Sequence, residues 1–168
     1  GREKGIRQLM AINMLKRLES SVNSFRLTIQ RIQELIQNTI NRIDNFSRDR
    51  YGHTSLEVDD YYPSMVAEDE EYYGSAFVGG KKTKIDLADM DFISWRQYLE
   101  WDNEILNLLL VMLQDITPRH DSKLQQLIED LESKFSHPIN DKNKKVLIFT
   151  AFSDTAEYLY SELADRIH

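Results

Sequence analysis

Between Ile6 and Phe46 there is no glycine or proline, and apolar residues return at steps of three and four: Ile6, Met10, Met14, Leu18, Val22, Phe25, Ile29, Ile32, Ile36, Ile40, Ile43. That spacing is a 3.6-residue period with one sticky stripe, which predicts helix and a partner to cover it. A continuous helix over this span would be about 60 Å long. Ser20-Ser21 and Asn23-Ser24 are its weak points, because short polar side chains compete for backbone hydrogen bonds. Either one helix bends near 20–24 or two helices meet there.

A second helical pattern runs from about Leu87 to Ile116, with Phe92, Trp95, Leu99, Ile105, Leu108/Leu109 and Met112/Leu113 on its stripe. Ile105 to Leu113 is apolar on nearly all sides and is expected to be the most buried set of turns. Trp95 and Trp101 fall on different faces, and at least one should anchor a core. Thr117-Pro118 ends the pattern. Asp121 is placed to cap a third helix from Ser122 to Phe135, with Leu124, Leu127/Ile128 and Leu131 inward. Three or four antiparallel helices burying these stripes together is the economical solution.

Residues 47–85 read as a long connection, with Pro63, the Gly79-Gly80 pair and several tyrosines. A short helix near 64–73 and a strand at 75–78 are expected inside it. The last thirty residues change character. Pro138-Ile139-Asn140-Asp141-Lys142-Asn143 is rich in turn formers, and Lys145-Val146-Leu147-Ile148-Phe149-Thr150 is a short apolar run of the buried-strand kind. Ser153 is placed to cap a helix from Asp154 to Arg166, with Ala156, Leu159, Tyr160 and Leu163 inward. A lone buried-type strand has unpaired backbone on both edges. The chain is therefore expected to be a fragment cut just inside a further domain: a helical domain over 1–138, then the start of that further domain over 139–168.

Composition narrows the chemistry. The 168 residues include no cysteine, which excludes disulfides, thiolate metal sites and cysteine nucleophiles. The opening residues Gly1 to Gly5 lack an apolar stretch behind their charges, no run suits a membrane span, and a cytoplasmic location is expected. Net charge is −7 but unevenly spread. Residues 1–31 hold Arg2, Lys4, Arg7, Lys16, Arg17, Arg26 and Arg31 against Glu3 and Glu19, whereas 51–75 hold seven carboxylates and no base. One end is basic and the middle acidic, so the total argues only weakly against nucleic-acid contact.

The stretch Lys144-Lys145-Val146-Leu147-Ile148-Phe149-Thr150-Ala151-Phe152-Ser153-Asp154-Thr155-Ala156-Glu157-Tyr158-Leu159 closely resembles the first strand and helix of the second RecA-like lobe in Swi/Snf-type and RapA-like superfamily 2 helicases. Phe149-Thr150-Ala151-Phe152 stands where that family has its fourth helicase motif. Asp121-Ser122-Lys123-Leu124 is similar to the helix preceding that lobe. Met14-Leu15-Lys16-Arg17-Leu18-Glu19-Ser20-Ser21, with Phe25, resembles the element that follows the first motor lobe. Residues 26–120 carry no matching motif and fall where such motors insert helical domains.

The resemblance implies a mainly α fold, an antiparallel helical bundle with a long acidic loop, followed by one β-α unit of a truncated RecA-like lobe. It implies an ATP-dependent DNA helicase or translocase as the parent, with ATP and magnesium as the parent's cofactors and none in this chain. It implies DNA as a partner through the parent and the two motor lobes in cis, with no membrane and with the chain a monomer or weak dimer. Thr150, Ser153, Lys16, Arg17 and Lys145 become the candidate nucleic-acid contacts: two hydroxyls at a helix start and three cations.

No ATPase site is complete in the sequence. Gly79-Gly80-Lys81-Lys82-Thr83 departs from the phosphate-loop spacing, since Ser75 stands where a glycine is needed and Lys82 where a serine or threonine is. Asp59-Asp60 and Glu68 to Glu71 do not follow an apolar strand. The four histidines are scattered, the carboxylates of 57–71 lack a calcium-loop alternation, and no serine sits in a nucleophile elbow. The chain is therefore expected to be catalytically silent. The alternative reading is a self-contained helical protein–protein interaction module.

Overall fold

The structure is a computed structural model, and it describes residues 2–48, 55–57, 84–138, 140 and 143–166. The acidic tract and the expected helix at 64–73 and strand at 75–78 lie outside the described residues, as does most of the connection 47–85. The described chain is mainly helical. Helix α1 spans Arg2–Ser20 and α2 spans Val22–Arg48. Strands β1 (Ser55–Glu57) and β2 (Lys84–Asp86) pair antiparallel, with Leu56 opposite Ile85. Helix α3 spans Phe92–Gln114, α4 spans Ser122–Ser136 and α5 spans Ser153–Leu163. Short 3₁₀ turns lie at Leu87–Asp89, Pro118–His120 and Ala164–Arg166. No helix among the described residues is long and apolar enough to cross a membrane.

The two long N-terminal helices meet at Ser21, within the weak stretch 20–24. Ser21 Oγ accepts from the Ser24 backbone N–H at 2.9 Å, which is the N-cap bond of a new helix. The rhythm is barely lost, since Ser21 N–H still donates to the Arg17 carbonyl and Phe25 N–H to the Ser21 carbonyl.

The chain forms two compact units, one of residues 28–112 and one of residues 1–27 with 113–168. In the first, α2 supplies Ile36, Ile40, Ile43 and Phe46, which bury against Leu87 and Leu99. Phe46 meets Phe92 edge to face at 5.2 Å, and Asp44, earlier on α2, meets Arg96, later on α3, so the two run antiparallel. The Arg96 guanidinium grips the carboxylate twice, Nε to Oδ1 at 2.6 Å and Nη2 to Oδ2 at 3.3 Å, which holds the Asp44 carboxyl below its ordinary value. Trp95 packs half-buried on this core, whereas Trp101 is exposed.

In the second unit α4 and α5 share a core of Leu124, Ile128, Leu131 and Leu163, with Val146, Tyr158 and Leu159 against its edge. Thus residues on the two sides of 138 pack together. Asp121 caps α4 as expected, its Oδ1 accepting from Leu124 N–H at 3.0 Å. Arg26 closes the C-terminal end of α3, where Nη2 donates to the Leu113 carbonyl at 2.7 Å and the Ile116 carbonyl at 2.8 Å.

Six expectations are corrected. Residues 145–150 form no strand. Among the described residues no strand lies beside the run to satisfy its backbone, and Val146 reaches the core while Leu147 is 83% and Phe149 89% exposed. Phe149 is therefore not a core residue, although Phe152 is. Ile105 to Leu113 is not the most buried set of turns: Ile105, Leu108, Val111 and Met112 all face outward. Helix α5 starts at Ser153 with Phe152 as N-cap, so Ser153 is its first helical residue rather than its cap. Its inward face is Asp154, Thr155 and Leu163, while Ala156 and Tyr160 are exposed. On α1 the expected stripe is likewise uncovered at Met10 and Leu18, and the buried side chain is Arg17.

Candidate functional site

The C-terminal turn of α1 and the N-terminal turn of α5 bring together the two segments singled out at opposite ends of the sequence. Arg17 is 1% exposed, and its Nη1 donates to Asp154 Oδ2 at 3.1 Å across 137 residues of chain. The Asp154 side chain is 4% exposed. Asp154 is the second residue of α5, where a carboxylate also meets the positive end of the helix dipole. The guanidinium carbon lies 4.8 Å from the centre of the Phe152 ring, a cation–π contact that shields the pair from water. Beside it the hydroxyls of Ser20 and Thr155 are hydrogen-bonded at 2.8 Å, and those of Ser21 and Thr155 at 3.3 Å. Lys123 Nζ reaches the Glu19 carbonyl from the first turn of α4. Every residue of the Arg17-x-x-Ser20-Ser21 set that touches α5 does so within the Phe152-Ser153-Asp154-Thr155 run.

A buried ion pair is held only when the lone pairs and protons left over are also satisfied, because taking two charges from water costs several kcal/mol per ion. Here the helix start faces the Asp154 carboxylate and the Phe152 ring covers the Arg17 guanidinium. The junction can thus fix α5 to α1 in one geometry, a positioning task rather than a chemical one.

The five candidate nucleic-acid contacts divide into two groups. Arg17 is buried in the junction. Lys16, Thr150, Ser153 and Lys145 are exposed. Thr150 Oγ1 accepts from the Phe152 N–H at 3.3 Å and so shapes the turn into α5, and the Lys145 N–H is held by Asn143 Oδ1 at 3.1 Å. Asp154, Thr155, Ser20 and Ser21 are the site residues that the sequence did not single out individually. Each stood inside a quoted motif, but no spacing rule joins positions so far apart.

Behind the junction a cleft of about 210 Å³ is lined by Asn23, Arg26, Thr117, Asp121, Tyr158 and Glu162 among others. The Tyr158 hydroxyl donates to Asp121 Oδ2 at 3.1 Å, so the residue that caps α4 also holds α5. Burial, then the neighbouring Asp121 carboxylate, pushes the Tyr158 phenol well above its ordinary value. Among the described residues no three His, Asp or Glu side chains gather as a metal-binding group. No family model, curated protein or solved structure matches the chain.

Proposed function

We propose that this chain is the connecting piece of an ATP-driven DNA helicase or translocase, linking two RecA-like motor lobes and catalytically inactive alone. The observation that carries the reading is the junction itself. The segment resembling the exit of the first lobe, 14–21, and the segment resembling the entry of the second, 144–159, meet through Arg17–Asp154 and Ser20–Thr155. Such a contact would transmit movement of one lobe to the other through rigid helices. The exposed run Leu147-Ile148-Phe149 gives further support, because a parallel sheet buries strands of this composition on both faces. Within the second lobe it would be that sheet's first strand. Thr150 and Ser153 would then lie at the strand end and helix start, facing a nucleic-acid backbone, with Lys16 and Lys145 as phosphate partners. Arg17 serves as the positioning residue.

The test measures ATP hydrolysis by this chain and by the whole polypeptide its gene encodes, each with and without duplex DNA. DNA-stimulated hydrolysis by the whole polypeptide and none by this chain is the expected result. Lys145→Ala and Lys16→Ala in the whole polypeptide should each weaken DNA binding a few-fold and lower the salt slope by about one. Absence of hydrolysis in the intact polypeptide overturns the reading. A helical interaction module is the second reading, favoured by one specific observation, the apolar residues that α3 turns outward.

A further inference from the structure

Helix α3 carries two apolar seams. The inner one, through Phe92, Trp95, Leu99 and Leu106, packs on the core of its unit. The outer one is Tyr98, Trp101, Ile105, Leu108 and Met112, and each of these is between 58% and 66% exposed. Their spacing of three, four, three and four confines them to an arc of about 80° on a helix of 3.6 residues per turn. That is the heptad seam of a left-handed helix pair. Asp102 and Glu104 flank the N-terminal half of the seam, and residues 105–113 carry no charge.

We propose that this seam pairs with the same seam of a second copy of the chain, antiparallel, with Trp101 against the second copy's Met112 and Ile105 against its Leu108. The distribution of size and charge selects this arrangement. Antiparallel pairing sets the bulky, acidic half of each helix against the slender, uncharged half of the other, and gives Trp101 a thioether to pack on. Parallel pairing would stack ring on ring and bring Asp102 and Glu104 against their own copies, where like charges repel. The seam and the flanking Val111 present on the order of 600 Å² of side-chain surface per copy, somewhat below the ~800 Å² per partner of a standard interface. A reversible dimer forming at tens of micromolar chain is the corresponding expectation, about the weak end of specific association.

The absence of cysteine makes the register testable without background. Sedimentation equilibrium on the intact chain should show a monomer–dimer equilibrium. Leu108→Glu should weaken it at least tenfold with unchanged helicity, because Leu108 is exposed within its own chain. A Trp101→Cys/Met112→Cys double variant should oxidise to a disulfide-linked dimer, whereas each single variant should not, since identical positions lie about 16 Å apart along antiparallel helices at 1.5 Å per residue. A chain that stays monomeric to about 500 μM, above the range expected for even weak specific pairing, overturns the proposal. So does cross-linking by a single variant, which would mean parallel pairing. A monomer whose seam is covered only in the whole polypeptide also overturns it, and assigns the seam to another part of that molecule.

Discussion

Arg17 stands in the sequence as one of seven cations in the basic stretch 1–31, yet it is the most deeply buried large side chain of its unit. Its charge is placed between the Asp154 carboxylate and the Phe152 ring, so removing one member of the pair leaves the other's charge in a dry site without that contact. Truncating one member of a buried pair costs about 3–5 kcal/mol, whereas an exposed pair is worth at most about 1 kcal/mol. Arg17→Ala and Asp154→Ala are therefore each expected to lower stability by that larger amount, and Lys16→Ala, one residue away and exposed, by almost nothing. Urea unfolding of the three variants checks this. Equal, small effects would mean that the pair is open to water. The double variant should cost less than the two single losses added together, because the second substitution removes the stranded charge.

At the scale of elements, Asp121 does two tasks with its two oxygens. Oδ1 caps α4 through Leu124 N–H, and Oδ2 takes the Tyr158 hydroxyl from α5. The consequence for pH has a definite sign. Tyr158 in the unfolded chain ionises near 10.0, while in the folded chain burial and Asp121 keep it protonated further into alkali. The folded state then holds the proton longer, so this contribution to stability is complete below pH 10.0 and is lost as pH rises beyond it. Urea midpoints taken from neutral pH into the alkaline range should fall more steeply for the wild type than for Tyr158→Phe. At neutral pH the variant should be less stable by about 1 kcal/mol through the lost hydrogen bond. Parallel alkaline slopes for the two proteins would remove Tyr158 from the account. Ser21 shows the same economy on a smaller scale: one hydroxyl group bonds Ser24 N–H at the start of α2 and also meets Thr155.

For the whole molecule, the informative surfaces are those that each unit's own packing leaves uncovered. Residues 147–149 make no backbone–backbone hydrogen bond among the described residues, and two of their three side chains are more than four-fifths exposed. In the isolated chain their amides should exchange with solvent at close to unstructured rates, while those of α4 and α5 are protected. In a polypeptide that supplies a neighbouring strand the same amides should become protected. Hydrogen exchange followed by mass spectrometry reads both states, and protection already present in the isolated chain would contradict the irregular backbone of 143–150.

What the sequence determined alone was local. The 3.6-residue period located the helices, short polar side chains marked a weak stretch at 20–24, Thr117-Pro118 located an end, and Asp121 a beginning, because each depends on groups within four residues of one another. The quoted segments 14–21 and 144–159 also contained Arg17, Ser20, Ser21, Phe152, Asp154 and Thr155. Tertiary structure decided which apolar faces are covered, since periodicity states that a face is sticky but not whether anything meets it. Hence Ile105, Leu108 and Met112 stay outside although their stripe reads as core, and a run with strand composition forms no strand without a neighbour. It also decided that Arg17 meets Asp154. An ion pair across 137 residues has no signature in spacing; it exists because two helix ends, each folded for local reasons, bring a cation and a carboxylate to one dry place.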